Sequence, residues 1–264
     1  MDQPTLIVTG ASHGIGTAIA YAAAAKGIRV VMTARTRPAL ELAAHHIEQQ
    51  GGTVLVVDGD ITRYGDCQRI VAQTVQAFGR IDAVINNAGI IGPLGLVADV
   101  RPEEWARTLE VNVLGPVMMC REAVPYLRET NGKIVNISSA AALMAIGGGS
   151  AYCASKAALN HFSKVLAIEE PDITVVLFNP GDVDTPMQAE IREKGKVKSF
   201  EGYHQYFIDQ YEGGQLLPPE KPALAAVTLA FYAPHEWTGE FIHWDEERLQ
   251  ELNKKYSTFS ITKT

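Results

Sequence analysis

Tyr152 and Lys156 stand four residues apart in Ala-Tyr-Cys-Ala-Ser-Lys-Ala-Ala-Leu, a stretch of good helix formers. In a helix that spacing puts both side chains on one face. An ammonium beside a phenol favours the phenolate, so the lysine is expected to draw the tyrosine pKa down from about 10 towards neutral pH. A tyrosine tuned in this way can exchange a proton with a reacting oxygen as a general acid or base. Ser139 lies thirteen residues before Tyr152, directly after the strand-like run Lys133-Ile-Val-Asn-Ile137. A hydroxyl at the end of a strand can hold the same oxygen while charge builds on it. Alone, a Tyr/Lys pair at this spacing is also ordinary helix decoration, so the surrounding elements must decide.

Those elements alternate. Thr5–Thr9 is a short apolar run that reads as a buried strand. Gly10-Ala-Ser-His-Gly14-Ile-Gly16 follows it and leads into an alanine-rich helix expected over 17–26. Strand, glycine turn and helix are the setting of a dinucleotide-binding loop. Gly10 can make the tight turn, and Gly14 and Gly16 let backbone approach a pyrophosphate at the helix N-terminus. A second strand, Ile28–Thr33, ends in Thr33-Ala-Arg35-Thr-Arg37, where an NAD site would carry an acidic residue for the ribose hydroxyls. A guanidinium pairs with a 2′-phosphate instead, so Arg35 points to NADP. Arg37 could assist, and a solvent-facing helix start explains it equally well.

Further strands are expected over 53–57, 82–85, 133–138, 173–178 and 239–243. Helices are expected over 38–50, 66–78, 102–128, 151–168 and 224–232, the run 102–128 broken near Gly115-Pro116. Asp60 and Ile61 sit at a strand's C-terminal end, where ligands gather in open α/β sheets. Asp60 could reach an adenine or cap a turn. Asn112 falls within an apolar helix surface and needs hydrogen-bond partners. The pattern predicts a single α/β domain over 1–264, a Rossmann-type doubly wound parallel sheet of about seven strands with helices on both faces.

Composition narrows the function classes. The chain has 264 residues, 47% of them hydrophobic, and a formal charge of −7. Without a cluster of Lys and Arg, neither nucleic acid nor an anionic membrane is an expected partner; the short basic run 194–198 reads as a solvated loop. Cys67, Cys120 and Cys153 are scattered, which argues against a disulfide framework or a metal site. Cys153 reads as a small buried thiol rather than a nucleophile. No leader or long apolar run is visible, so a soluble, cytoplasmic protein is expected.

Taken together, Thr9-Gly-Ala-Ser-His-Gly-Ile-Gly16, Asn86-Asn-Ala-Gly89, Asn112, Ser139, Tyr152-Cys-Ala-Ser-Lys156 and Asn179-Pro-Gly-Asp-Val-Asp-Thr185 resemble the short-chain dehydrogenase/reductase family over nearly the whole chain. The resemblance implies an NADP-dependent oxidoreductase in which Tyr152 is the acid/base and Lys156 lowers its pKa while binding the nicotinamide ribose. Ser139, rather than Ser138, would hold the substrate oxygen, and Asn112 would anchor a water linking Lys156 to solvent. Gly10, Ser12, His13, Gly14, Ile15 and Gly16 would cradle the phosphates. Asn86, Asn87, Ala88 and Gly89 would line the cofactor, with Pro180, Gly181, Val183 and Thr185 beside the nicotinamide carboxamide. His13 stands where many NADP-using relatives have Arg or Lys; Arg35 matches their second basic position. Homo-oligomerisation through helices 102–128 and 151–168 is implied in the same way.

A narrower likeness, in Gly59-Asp-Ile-Thr62, Thr130-Asn-Gly132, the run Ser155–Phe162 and Val183-Asp-Thr-Pro-Met-Gln188, is to a fungal branch similar to benzil reductase and sepiapterin reductase-like carbonyl reductases. Its His161 reads as a packed or surface residue. At the substrate end, the run 140–149 is apolar and glycine-rich. The insert 187–215 brings Phe200, Tyr203, Tyr206, Phe207 and Tyr211, which either form a mobile lid or pack on the body. The tail 245–264 begins as a charged helix. The substrate implied is a ketone, diketone or aldehyde of modest size; alcohol oxidation at the same site and a silent nucleotide sensor are the alternatives.

Overall fold

The structure is a computed structural model and describes residues 3–256. Seven parallel strands form one sheet: β1 Thr5–Thr9, β2 Arg29–Thr33, β3 Val54–Val56, β4 Ala83–Asn86, β5 Lys133–Ile137, β6 Thr174–Asn179 and β7 Phe241–His243. Their order across the sheet is β3-β2-β1-β4-β5-β6-β7. Successive residues of each strand face opposite layers. Leu6 and Val8 of β1 pack with α1 (Gly14–Ala25) and α9 (Glu220–Tyr232). Ile7 packs on the other face with α3 (Tyr64–Phe78), α5 (Gly115–Thr130) and α6 (Ser150–Glu169). This double cover is why the strands read as unbroken apolar runs rather than as alternating ones.

Strand order reverses at β1, whose neighbours are β2 on one side and β4 on the other. A crevice opens at the carboxyl ends of strands where such a reversal occurs. The loops after β1, β2, β4, β5 and β6 therefore meet around one cleft. The remaining helices are α2 (Arg37–Gln49), α4 (Pro102–Leu109), α7 (Pro186–Lys194), α8 (Glu201–Glu212) and α10 (Glu247–Tyr256). The charged start of the tail is helical, as expected; 257–264 lie outside the described residues.

Two helix expectations need correction. α1 begins at Gly14, not at residue 17, so the glycines themselves form its first turn. Glycine's poor helix propensity concealed that start. The long helix does not break at Gly115-Pro116: Gly115 has right-handed helical angles, and the irregularity is a π-helical turn just before it, Glu110–Leu114. Pro116 lacks an N–H and its ring crowds the carbonyl one turn back, so a widened turn lets the helix pass the proline without stopping. Asn112 sits at the centre of that turn.

Candidate active site

The loops enclose a cavity of about 790 Å³, with Arg35 and Asp60 at one end and Ser139, Tyr152 and Phe207 at the other. At its floor the glycine turn after β1 lies against the turn after β4. Gly10 has φ +65°, and a Cβ there would stand 2.8 Å from the Ala88 Cα. Asn87 fastens the two turns: its N–H donates to Thr9 Oγ1 at 3.0 Å and its amide to the Thr9 carbonyl at 2.9 Å. Gly16 does not line the cavity but packs beneath it, where any Cβ would collide with the Gly10 carbonyl. His13 is the N-cap of α1 and makes no side-chain capping bond. The first-turn amides thus keep their donors for an anion, at the positive end of the helix dipole. A cradle open only to backbone, at a helix N-terminus, fits a dinucleotide pyrophosphate.

Ser12, His13, Gly14, Ile15, Ile61, Asn87, Ala88, Gly89, Pro180, Gly181, Val183 and Thr185 all line the cavity. Asn86 does not. Its side chain turns inward and donates to Asn136 Oδ1 at 2.8 Å, since an amide on a buried strand must find a partner within the core.

The arginines separate cleanly. Arg37 is paired with Glu41 at 2.7 Å and Asp58 at 2.9 Å. Arg35 is exposed, lines the cavity and forms no ion pair among the described residues. Asp60 caps its turn through the Thr62 N–H at 3.0 Å and hydroxyl at 2.7 Å, and pairs with Arg107 at 3.3 Å.

Ser139, Tyr152 and Lys156 converge at the other end. Tyr152 and Ser139 both line the substrate end of the cavity, with the serine hydroxyl close enough to act on the phenol. The Ser138 hydroxyl is instead committed to Asn160 Oδ1 at 2.5 Å, leaving Ser139 as the available hydroxyl. Lys156 is 4% exposed, its Nζ donating to the Ile137 carbonyl at 2.8 Å and lying 5.6 Å from the Tyr152 ring centre. Burial lowers the Lys156 pKa to about 8. Burial also pushes the Tyr152 phenol up to about 12, against a smaller opposing effect of the nearby Ser139 hydroxyl. The expected lowering of Tyr152 by its lysine is therefore corrected. The ammonium is directed at a backbone carbonyl, and desolvation of a phenolate outweighs its influence.

Asn112 is fully buried and lies outside the cavity wall, behind Gly89. Its Oδ1 accepts from the Ile90 N–H at 2.9 Å, and its Nδ2 donates to the Ile90 carbonyl at 2.9 Å and Ser155 Oγ at 3.0 Å. The side chain thereby holds the β4 turn against α6. Pro116 offers no N–H to the Asn112 carbonyl four residues back.

The insert is ordered as α7, a short 3-10 turn at Lys198–Phe200, and α8. Phe200, Tyr203 and Phe207 pack with Ile91, Ile146, Met187, Ile191 and Tyr152, roofing the substrate end. Tyr206 donates to Asp182 Oδ2 at 2.7 Å. Neither Asp182 nor Arg107 was singled out as functional by sequence reasoning. Asp182 lay inside a recognised motif, and only its charge amid apolar lining residues could have marked it. Cys67 and Cys120 are buried, with thiols pushed up to about 12 by desolvation; Cys153 is half-buried rather than buried. His161 is exposed. Among the described residues no group of three or more His, Cys, Asp or Glu could hold a metal ion, and no helix is long and apolar enough to cross a membrane.

The sequence profile described as short chain dehydrogenase matches residues 4–196. An uncharacterised oxidoreductase of Schizosaccharomyces pombe is 35% identical over 243 residues, 92% of this chain and 96% of that protein. The crystal structure of a short-chain dehydrogenase/reductase from Saccharomyces cerevisiae superposes with a TM-score of 0.88 at 32% identity, covering 94% of this chain and 99% of that one. A variant actinorhodin polyketide ketoreductase, solved with NADPH, gives a TM-score of 0.82 at 27% identity over 92% of this chain and 97% of its own. With the seven-stranded sheet and the cleft at its reversal, these findings establish that the chain belongs to the short-chain dehydrogenase/reductase family of NAD(P)-dependent oxidoreductases.

Proposed function

We propose that this protein is an NADPH-dependent carbonyl reductase acting on a ketone, diketone or aldehyde of modest size and largely apolar character. The observation that carries the reading is the convergence of Ser139, Tyr152 and buried Lys156 on one end of a cavity continuous with the glycine cradle. Bound NADPH supplies the hydride. Tyr152 donates the proton to the carbonyl oxygen as it gains charge, and the Ser139 hydroxyl holds that oxygen in place. A phenol pushed to about 12 is protonated at neutral pH, which suits a proton donor. Lys156, near 8, is mostly cationic at neutral pH and is available to restore the proton. Both Asn112 amide protons are engaged, so a water it anchors is held by an acceptor, such as the backbone carbonyl that Pro116 leaves without its helical donor.

Arg35 is the reader of the 2′-phosphate, because it reaches the cavity with its charge unpaired while Arg37 is held between two carboxylates. The apolar roof of Ile91, Met187, Phe200 and Phe207 supports a hydrophobic substrate and the exclusion of water when α7 and α8 close as a lid.

The test is consumption of NADPH and NADH, side by side, with aromatic diketones, quinones and simple ketones. Turnover with NADPH and a diketone is expected. Preference for NADH would overturn the role of Arg35, and nucleotide binding without turnover of any carbonyl would overturn the reductase reading.

A further inference from the structure

Two carboxylates line the cavity. Asp60 is neutralised by Arg107, but Asp182 forms no ion pair among the described residues. One Asp182 oxygen accepts from the Tyr206 hydroxyl at 2.7 Å, and the other has no hydrogen-bond partner among the described residues. Strand order keeps cations away: Arg35 and the Asp60–Arg107 pair sit beyond β2 and β3, whereas Asp182 follows β6 on the opposite side of the sheet. Lys156, which lines the same cavity, is turned to the Ile137 carbonyl.

The backbone fixes where this carboxylate stands. Gly181 has φ +77°, with Trp244 Nε1 only 2.6 Å from where a Cβ would be. On its other side, the Leu217 N–H donates to the Asp182 carbonyl at 2.8 Å and the Asp184 N–H to the Leu217 carbonyl at 2.9 Å. Tyr206 arrives from α8 with its ring edge-on to Phe207, 5.2 Å between centres. Asp182 pushes the Tyr206 phenol up to about 12, so that hydroxyl remains a donor. The Asp182 charge also acts on Tyr152, among the influences that raise it. A carboxylate offers acceptors only, and one that lines a largely apolar cavity with no cation paired to it gains from a donor on the ligand.

We propose that Asp182, held by Tyr206, is a specificity-determining residue that selects carbonyl substrates bearing a hydrogen-bond donor, a hydroxyl or ammonium, beside the reacting carbonyl and rejects anionic ones. The inference rests on the reductase reading and names its substrate class. An acceptor-only substituent leaves the carboxylate oxygen without a donor, and a second carboxylate adds repulsion. The aromatic roof accommodates the rest of such a molecule.

The experiment uses three probes of one framework: phenacyl alcohol, its methyl ether and phenylglyoxylate. With NADPH, kcat/KM for the alcohol is expected to exceed that for the ether by about tenfold or more, with phenylglyoxylate poorest. Asp182→Asn should bring alcohol and ether within about threefold and improve phenylglyoxylate relative to both. Tyr206→Phe, which frees the carboxylate without removing it, should reduce the alcohol preference while still discriminating against the anion. Dissociation constants for the same probes on NADP⁺-loaded Tyr152→Phe protein read the clamp without turnover. Equal affinities there, or a preference unchanged by Asp182→Asn, would overturn the clamp. Graded affinities with no turnover of any probe by the wild type would instead uphold the clamp and overturn the reductase reading.

Discussion

Lys156 destabilises the fold at neutral pH, and the effect can be measured. Burial lowers its pKa from 10.5 to about 8, so folding disfavours the proton that the unfolded chain holds. At 1.36 kcal/mol for each tenfold change, the penalty is about 3 kcal/mol at pH 7. Between 8 and 10.5 the unfolded chain binds more protons than the folded one, so stability rises with pH and the penalty fades. By pH 10 roughly 1 kcal/mol remains. Lys156→Met removes the titration and the hydrogen bond to Ile137. That bond, worth about 1–2 kcal/mol, is lost at both pH values and cancels from the comparison. The variant should therefore be more stable than the wild type at pH 7 by about 1–2 kcal/mol, and its advantage should shrink or reverse by about 2 kcal/mol at pH 10. Tyr152 stays protonated in the folded wild type over this range, since its phenol lies near 12. Urea denaturation of cofactor-free protein, followed by the fluorescence of Trp105, Trp237 and Trp244, reads both values. A stability difference independent of pH would refute a neutralising burial of Lys156.

Other expectations follow from single contacts. Arg35→Leu should raise the KM for NADPH about ten- to a hundredfold and leave that for NADH within about twofold. Arg37→Leu should change either by less than about threefold, because exposed, already paired charges contribute little. Gly16→Ala places a methyl against the Gly10 carbonyl, so nucleotide affinity should drop at least about tenfold and the midpoint of thermal unfolding should fall. Val165 and Ile168 are exposed by 40% and 81% on one face of α6. If that face pairs with a second copy, Ile168→Glu should convert an oligomer to a monomer in light scattering, and a monomeric wild type would refute the pairing.

The alternation of apolar runs and helices made the sheet and its strand positions readable, because strands buried on both faces are dominated by apolar residues, with the few polar ones mostly near their ends. The four-residue spacing of Tyr152 and Lys156 placed them on one helix face for the same local reason. Local pattern failed where a third element intervenes. The upward shift of Tyr152 depends on how deeply the cleft desolvates it, and the destination of the Lys156 proton on the Ile137 carbonyl of another strand. Arg35 and Arg37 look alike in the chain; Asp58, twenty-one residues on, separates them. The π turn at Asn112 arises from a proline that the sequence shows, but whether a helix widens or breaks there is decided by the packing of α4 and α5 on both sides. Asp182 and Tyr206 belong to different motifs and meet only when α8 closes over the β6 loop.

The most direct measurement of the central claim is single-turnover reduction of an aromatic diketone by NADPH, compared between wild type and Tyr152→Phe, with the NADPH dissociation constant determined on the same samples. Removing the proton donor should slow the hydride step by about a hundredfold to ten-thousandfold while leaving nucleotide affinity within about threefold. A Tyr152→Phe protein that reduces the diketone at near wild-type rate would contradict the assignment of Tyr152 as the acid and, with it, the proposed chemistry of this site.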